Sequence, residues 1–179
     1  MLELKVDASP KYPDCKAFLV EISELDLNLK KVFEFEGKKL YLKDEFHLTL
    51  VGNDDSLLLR NKFIELVGEE KIGALYGELE IEIKKLIADS KIDFISEFYI
   101  LRKKYPDDEF ARTSLIQLVK TDLMNKFQEM LELKYNILLQ NSSSLPHITL
   151  YKELDNFGIG LYSKEDLEKY SIKRLESLN

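Results

Sequence analysis

The stretch Phe46-His47-Leu48-Thr49-Leu50-Val51 returns in form 100 residues later as Pro146-His147-Ile148-Thr149-Leu150. These are the only two histidines in the chain, and two of its four threonines follow them at the same spacing. Coincidence is a poor account of such a match. In a β-strand successive side chains point to opposite faces, so His47 and Thr49 share one face and Leu48 and Leu50 the other; the second motif repeats the arrangement. Each motif then offers an imidazole beside a hydroxyl on a strand anchored by two apolar residues. A helix would turn residues two apart away from each other and lose that convergence. The flanks agree, since residues 46–51 are rich in strand formers and Pro146 disfavours a helix running into His147.

The chemistry follows from the residue types. An unperturbed imidazole titrates near pH 6.5, so in a pair one ring can act as base while the other is protonated. Threonine hydroxyls donate hydrogen bonds to phosphoryl oxygens, and a protonated imidazole adds a charge-assisted one. A phosphodiester substrate suits this set. Neither motif has the H-x-H, H-E-x-x-H or cysteine spacing of a metal site. There is no G-x-x-x-x-G-K-[ST] loop for a nucleoside triphosphate and no glycine-flanked serine turn for a serine nucleophile. Acid–base chemistry that needs neither metal nor cofactor is therefore expected.

On these two motifs the chain resembles the 2H phosphoesterase superfamily, whose members carry two H-x-[S/T]-apolar motifs. Between about residues 17 and 177 its order of elements is similar to that of the family's RNA 2′,3′-cyclic phosphodiesterases, also called 2′-5′ RNA ligase-like proteins. The resemblance implies that one of His47 and His147 activates the attacking group and the other protonates the leaving oxygen. It also implies that Thr49 and Thr149 hold the phosphate. The implied reaction opens a 2′,3′-cyclic phosphate at an RNA or nucleotide end, and which histidine plays which role stays open. Two alternatives share these residues: a 2′,5′-phosphodiesterase acting on oligoadenylates, and a non-catalytic module that binds RNA ends or nucleotides. Where many relatives follow the second motif with a small residue and an arginine, this chain has Tyr151-Lys152. Strand alternation places Tyr151 on the face of His147 and Thr149, where it stacks on a base, bonds a phosphate, or packs as strand aromatics commonly do.

The expected fold is α+β, with two pseudo-symmetric lobes of antiparallel sheet forming a central cleft and helices on the outside. Residues 1–179 read as one domain, and the motif spacing suits two diverged halves. Helices are expected over residues 56–67 and 69–88, the second with an apolar stripe of Ile72, Leu75, Leu79, Ile83 and Leu86. Strands are expected over 17–22, 95–103 and 113–119, the last two joined by a turn at 105–108. Thr121 should cap a helix that buries Leu123, Met124, Phe127, Met130 and Leu131. A polar loop at 141–144 leads to the second motif. Strands over 157–162 and 170–175, joined by a helical turn from Ser163, complete the chain.

The net charge of −7 and pI near 5.1 speak against a wide nucleic-acid surface, because neutralising phosphates needs lysine and arginine. An RNA end, an oligoribonucleotide or a cyclic nucleotide is an easier substrate. Lys38, Lys39, Lys43, Arg102, Lys103, Lys104 and Arg112 either receive a flanking phosphate or simply solvate strand ends. The lone Cys15 excludes an internal disulfide and reads as structural or incidental. With no run of 18 apolar residues and no basic-then-apolar leader, a monomeric cytoplasmic protein without membrane contact is expected.

Overall fold

Leu2–Ala8 (β1), which alternates apolar and polar residues, and Lys16–Ile22 (β2), with the apolar run Ala17-Phe18-Leu19-Val20, pair as an antiparallel hairpin, in register from Leu2 opposite Ile22 to Ala8 opposite Lys16. Strand alternation buries Phe18, Val20 and Ile22 on one side. This hairpin begins the first of two units in the computed structural model, which describes every residue except 24, 26, 107, 140–144, 154–157 and 179. The first unit comprises Met1–Ile22, His47–Lys91 and Thr121–Ser143; the second comprises Ser23–Phe46, Ile92–Lys120 and Ser144–Asn179. Each contains one antiparallel sheet, so the fold is mixed α+β as expected.

The first unit has sheet order β1-β2-β5, and the strand carrying the first motif, Phe46–Val51 (β5), lies at its edge. Between β2 and β5 the chain forms Val32–Phe35 (β3) and Lys38–Leu42 (β4), which belong to the other unit. Helices Asn53–Val67 (α1), Ile72–Ala88 (α2) and Leu123–Tyr135 (α3) complete the first unit, with a 3-10 turn, Glu69–Lys71, before α2. Helix α1 starts three residues earlier than expected. Asn53 does not cap it; its Oδ1 accepts from Ser9 Oγ at 2.8 Å and ties the turn to the β1–β2 loop. The buried face of α2 is Tyr76, Leu79, Ile83 and Ile87. The expected stripe is thus rotated, and Ile72, Leu75 and Leu86 are half-buried. A tyrosine counts as an apolar core residue here because its ring is enclosed: Tyr76 stacks on Phe18 at 6.1 Å and meets Phe63 edge-on at 5.2 Å, and Phe63 meets Tyr135 at 5.2 Å. Helix α3 buries the five expected residues. Its Gln128 donates to the Ile137 carbonyl and accepts from Leu139 N–H, which secures the chain after the helix.

The second unit adds Asp93–Lys103 (β6), Arg112–Lys120 (β7), His147–Lys152 (β8), Lys164–Tyr170 (α4) and Ser171–Leu175 (β9), with sheet order β3-β4-β8-β7-β6-β9. Glu36 and Gly37, both at positive φ, form the two-residue β3–β4 turn, the geometry that matches strand twist in a hairpin. Strand β7 is buried from Thr113 to Val119 on both faces, as an interior strand must be when both sides of its sheet are covered. The expected strands at 95–103 and 113–119 are β6 and β7. Ser163 caps α4 by accepting from Asp166 N–H.

Residues 158–162 are not a strand. With glycine at 158 and 160 this segment makes no ladder and instead lays Ile159 and Leu161 into an apolar cluster with Leu101, Ile116 and Leu118. The expected loop at 141–144, Phe157 of the expected 157–162 strand, and Asp107 of the expected turn lie outside the described residues. No described helix is long and apolar enough to cross a membrane.

Phe63 joins two aromatic contacts at the centre of the first unit. Phe63→Ala should therefore lower unfolding free energy by about 3–5 kcal/mol, and Phe63→Leu by clearly less. Urea denaturation followed by circular dichroism checks this.

Candidate active site

The two motif strands stand in different sheets and different units, so each half is built separately. In β5, Leu48 and Leu50 are 2% and 1% exposed, whereas His47 is half-buried and Thr49 exposed. The alternation that the sequence implies is present. The buried pair fixes the strand, and the polar pair faces the other way.

In β8, Ile148 and Leu150 are fully buried while His147 and Thr149 are half-buried. Register sets His147 opposite Leu118 and Thr149 opposite Ile116 of β7. Directly opposed residues share a face, so the motif side chains stand on the same face as the Ile116, Leu118, Ile159 and Leu161 cluster. The 158–161 segment crosses this face. A Cβ at Gly158 would lie 2.9 Å from Thr149 Oγ1, so only glycine lets the backbone come this close.

The His147 ring is tied to backbone through one nitrogen. Its Nδ1 lies 2.8 Å from the Leu145 carbonyl oxygen, and since a carbonyl only accepts, Nδ1 carries the hydrogen and the neutral ring keeps its lone pair on Nε2. Burial is the largest influence on the ring and pushes its pKa below the ordinary value; hydrogen bonding with the backbone of Leu145 and of Ile159 acts in the opposite sense.

Tyr151 departs from its expected place. Register slips by one residue between Leu115 opposite Tyr151 and Ile116 opposite Thr149, so Leu150 is an extra residue in β8. Such a bulge breaks strict alternation, and Leu150 and Tyr151 are buried in succession. Tyr151 is 2% exposed, its hydroxyl donates to the Lys30 carbonyl at 2.8 Å, and its ring lies 5.7 Å from Phe33. It packs and does not share the surface of His147 and Thr149.

The expected cations divide. Lys38 pairs with Glu153, Arg102 with Glu36 at 2.8 Å, and Arg112 donates two hydrogen bonds to Asp108, which hold that carboxyl below its usual range. Lys39 and Lys104 are exposed, and the Lys43 backbone N–H bonds the Leu150 carbonyl. Among the described residues no group of three or more His, Cys, Asp or Glu could hold a metal ion. Cys15 is buried, with its thiol pKa raised by burial. What the motif reading misses is the 158–161 segment; its only trace in the sequence is Gly158-Ile159-Gly160-Leu161, two small residues alternating with two apolar ones. Compared with known protein families, curated proteins and solved structures, the chain matches none.

Two outcomes follow from the β8 half. Gly158→Ala should cost about 1–3 kcal/mol in denaturant unfolding, as overpacking does, and markedly less in a Thr149→Ala background, where the contacted hydroxyl is gone. For His147 the sign is set by its depressed folded pKa. Above about pH 6.5 the ring is neutral both folded and unfolded and contributes no pH dependence. As pH falls below that value the unfolded chain takes up the proton first, so the wild type should lose up to about 1.4 kcal/mol per pH unit more than His147→Gln, until the folded ring also protonates. Unfolding midpoints of both proteins from pH 7.5 to 5.5 measure the difference.

Proposed function

We propose that this protein opens 2′,3′-cyclic phosphates at RNA or nucleotide ends by acid–base catalysis shared between His47 and His147. The observation that carries the reading is the matched pair itself. Each histidine lies on an antiparallel strand, with its threonine two residues on, opposite a buried apolar pair. A helix or loop at either motif would have dispersed these groups.

In the proposed reaction one imidazole takes a proton from water as the water oxygen bonds to phosphorus. The bond from phosphorus to one ribose oxygen breaks, and the other imidazole gives that oxygen a proton. The product is a phosphomonoester. With its hydrogen on Nδ1 and a pKa lowered by burial, His147 suits the base, which needs a neutral ring with a free Nε2 lone pair. His47 is then the acid. The attacking water sits at the Nε2 lone pair, and Thr49 and Thr149 donate to the phosphoryl oxygens. The reading requires both motifs to act on one phosphate, as they would in a central cleft between pseudo-symmetric lobes.

One observation favours a second reading, a module that binds RNA ends or nucleotides without turnover: the His147 ring is half-buried and already tied to backbone through Nδ1. Affinity without turnover distinguishes it.

A panel of 2′,3′-cyclic nucleotides, cyclic-phosphate-ended oligoribonucleotides and 2′,5′-linked oligoadenylates, analysed for products in EDTA, tests chemistry and substrate together. Turnover should persist in EDTA. His47→Ala and His147→Ala should each lower it by about 10²-fold or more, and the double variant should cost less than the product of the two if they act on one phosphate. Thr49→Val and Thr149→Val should have smaller effects. Full activity in both single histidine variants would remove the mechanism.

A further inference from the structure

At the end of the 158–161 segment, cations and tyrosine rings alternate. Lys103 Nζ lies 4.8 Å from the ring centre of Tyr105, 5.7 Å from that of Tyr162 and 4.4 Å from that of Tyr170. Arg112 stands 4.5 Å from Tyr105, and Lys169 Nζ 5.3 Å from Tyr170. All of these residues belong to the second unit. Lys103 and Arg112 are register partners on β6 and β7, so they share a face. That face is also the one bearing Ile116, and hence Thr149.

Arg112 is neutralised by Asp108, whereas neither Lys103 nor Lys169 has a carboxylate partner among the described residues. Tyr162 is 41% exposed, with its backbone N–H bonded to Asp166. Like Lys39 and Lys104, the two lysines pair with no carboxylate among the described residues; what distinguishes them is their place among three tyrosines, on or beside a helix that also carries Glu165, Asp166 and Glu168. Aromatic faces with interleaved cations are what single-stranded nucleic acid requires: rings take bases whatever their sequence, and ammonium groups take phosphates.

Position supplies the second argument. Gly158 touches Thr149 and Tyr162 touches Lys103, and the four residue steps between them span at most about 14 Å of chain. We propose that Lys103, Tyr162, Lys169 and Tyr170 form a subsite for single-stranded RNA, holding the nucleotides next to the terminal phosphate of the substrate. Its identification as RNA rests on the proposed phosphodiesterase reading, but the binding itself does not need turnover.

The test is fluorescence anisotropy with the full chain and a labelled, fully 2′-O-methylated hexauridylate, which has no ribose nucleophile. Binding should weaken with salt. Tyr162→Ala should reduce affinity at least about fivefold, in keeping with loss of one stacked base, and Tyr162→Phe should restore it. Lys169→Gln should flatten the plot of log affinity against log salt by about 0.7, as for one phosphate contact on a single strand. Both positions are exposed, and circular dichroism confirms folding. Turnover of a 2′,3′-cyclic mononucleotide should be unchanged in these variants. If no variant turns over any substrate yet the hexauridylate results hold, the phosphodiesterase reading fails and the subsite stands. Affinity within twofold of wild type in Tyr162→Ala, or an unchanged salt slope in Lys169→Gln, overturns the subsite and leaves the tyrosines as an anchor for α4.

Discussion

The close approach of backbone to the second motif governs the second unit. Gly158 lies against Thr149, and the next residue, Ile159, fills the apolar cluster on the His147 face with its side chain. One short stretch therefore covers both the motif strand and β7. A side chain at 158 would force the backbone away from the strand, and the cluster of Leu101, Ile116 and Leu118 would lose its cover with it. The chemistry offered by β8 is inseparable from this packing.

The two motifs consequently differ although their sequences match. Thr49 is exposed on an edge strand, and Thr149 is half-buried on an interior strand. The shift known for the pair is that of His147, whose pKa burial lowers. A buried imidazole with Nδ1 tied to a carbonyl is oriented as well as detuned, since only one tautomer satisfies the bond.

Much of this was legible in the chain. Both motif strands, α1, α2, α3 and the β6–β7 pair follow from periodicity and turn residues, because local alternation and the helical repeat report which face meets a core. Tyr151 shows where such reasoning ends. Alternation assigned it to the motif face, and a single extra residue at Leu150 reversed that assignment. A bulge is a property of two paired strands, so one strand's sequence does not display it. Likewise the glycines at 158 and 160 read as strand residues until the partner they approach is known. The rotated stripe of α2 has a similar origin: Tyr76 became core only because Phe18 and Phe63 enclose its ring.

The sequence by itself determined that two imidazole-hydroxyl pairs sit on strands anchored by apolar residues, because side-chain direction in a strand is a local consequence of backbone geometry. It also determined the α+β class, through the succession of two periods along one chain. Only the tertiary structure decided how much solvent each imidazole meets, which nitrogen of His147 carries hydrogen, that Tyr151 turns inward, and that Lys103 stands among three tyrosines. Each of those depends on residues distant in sequence meeting in space, and burial and electrostatics are set by such neighbours.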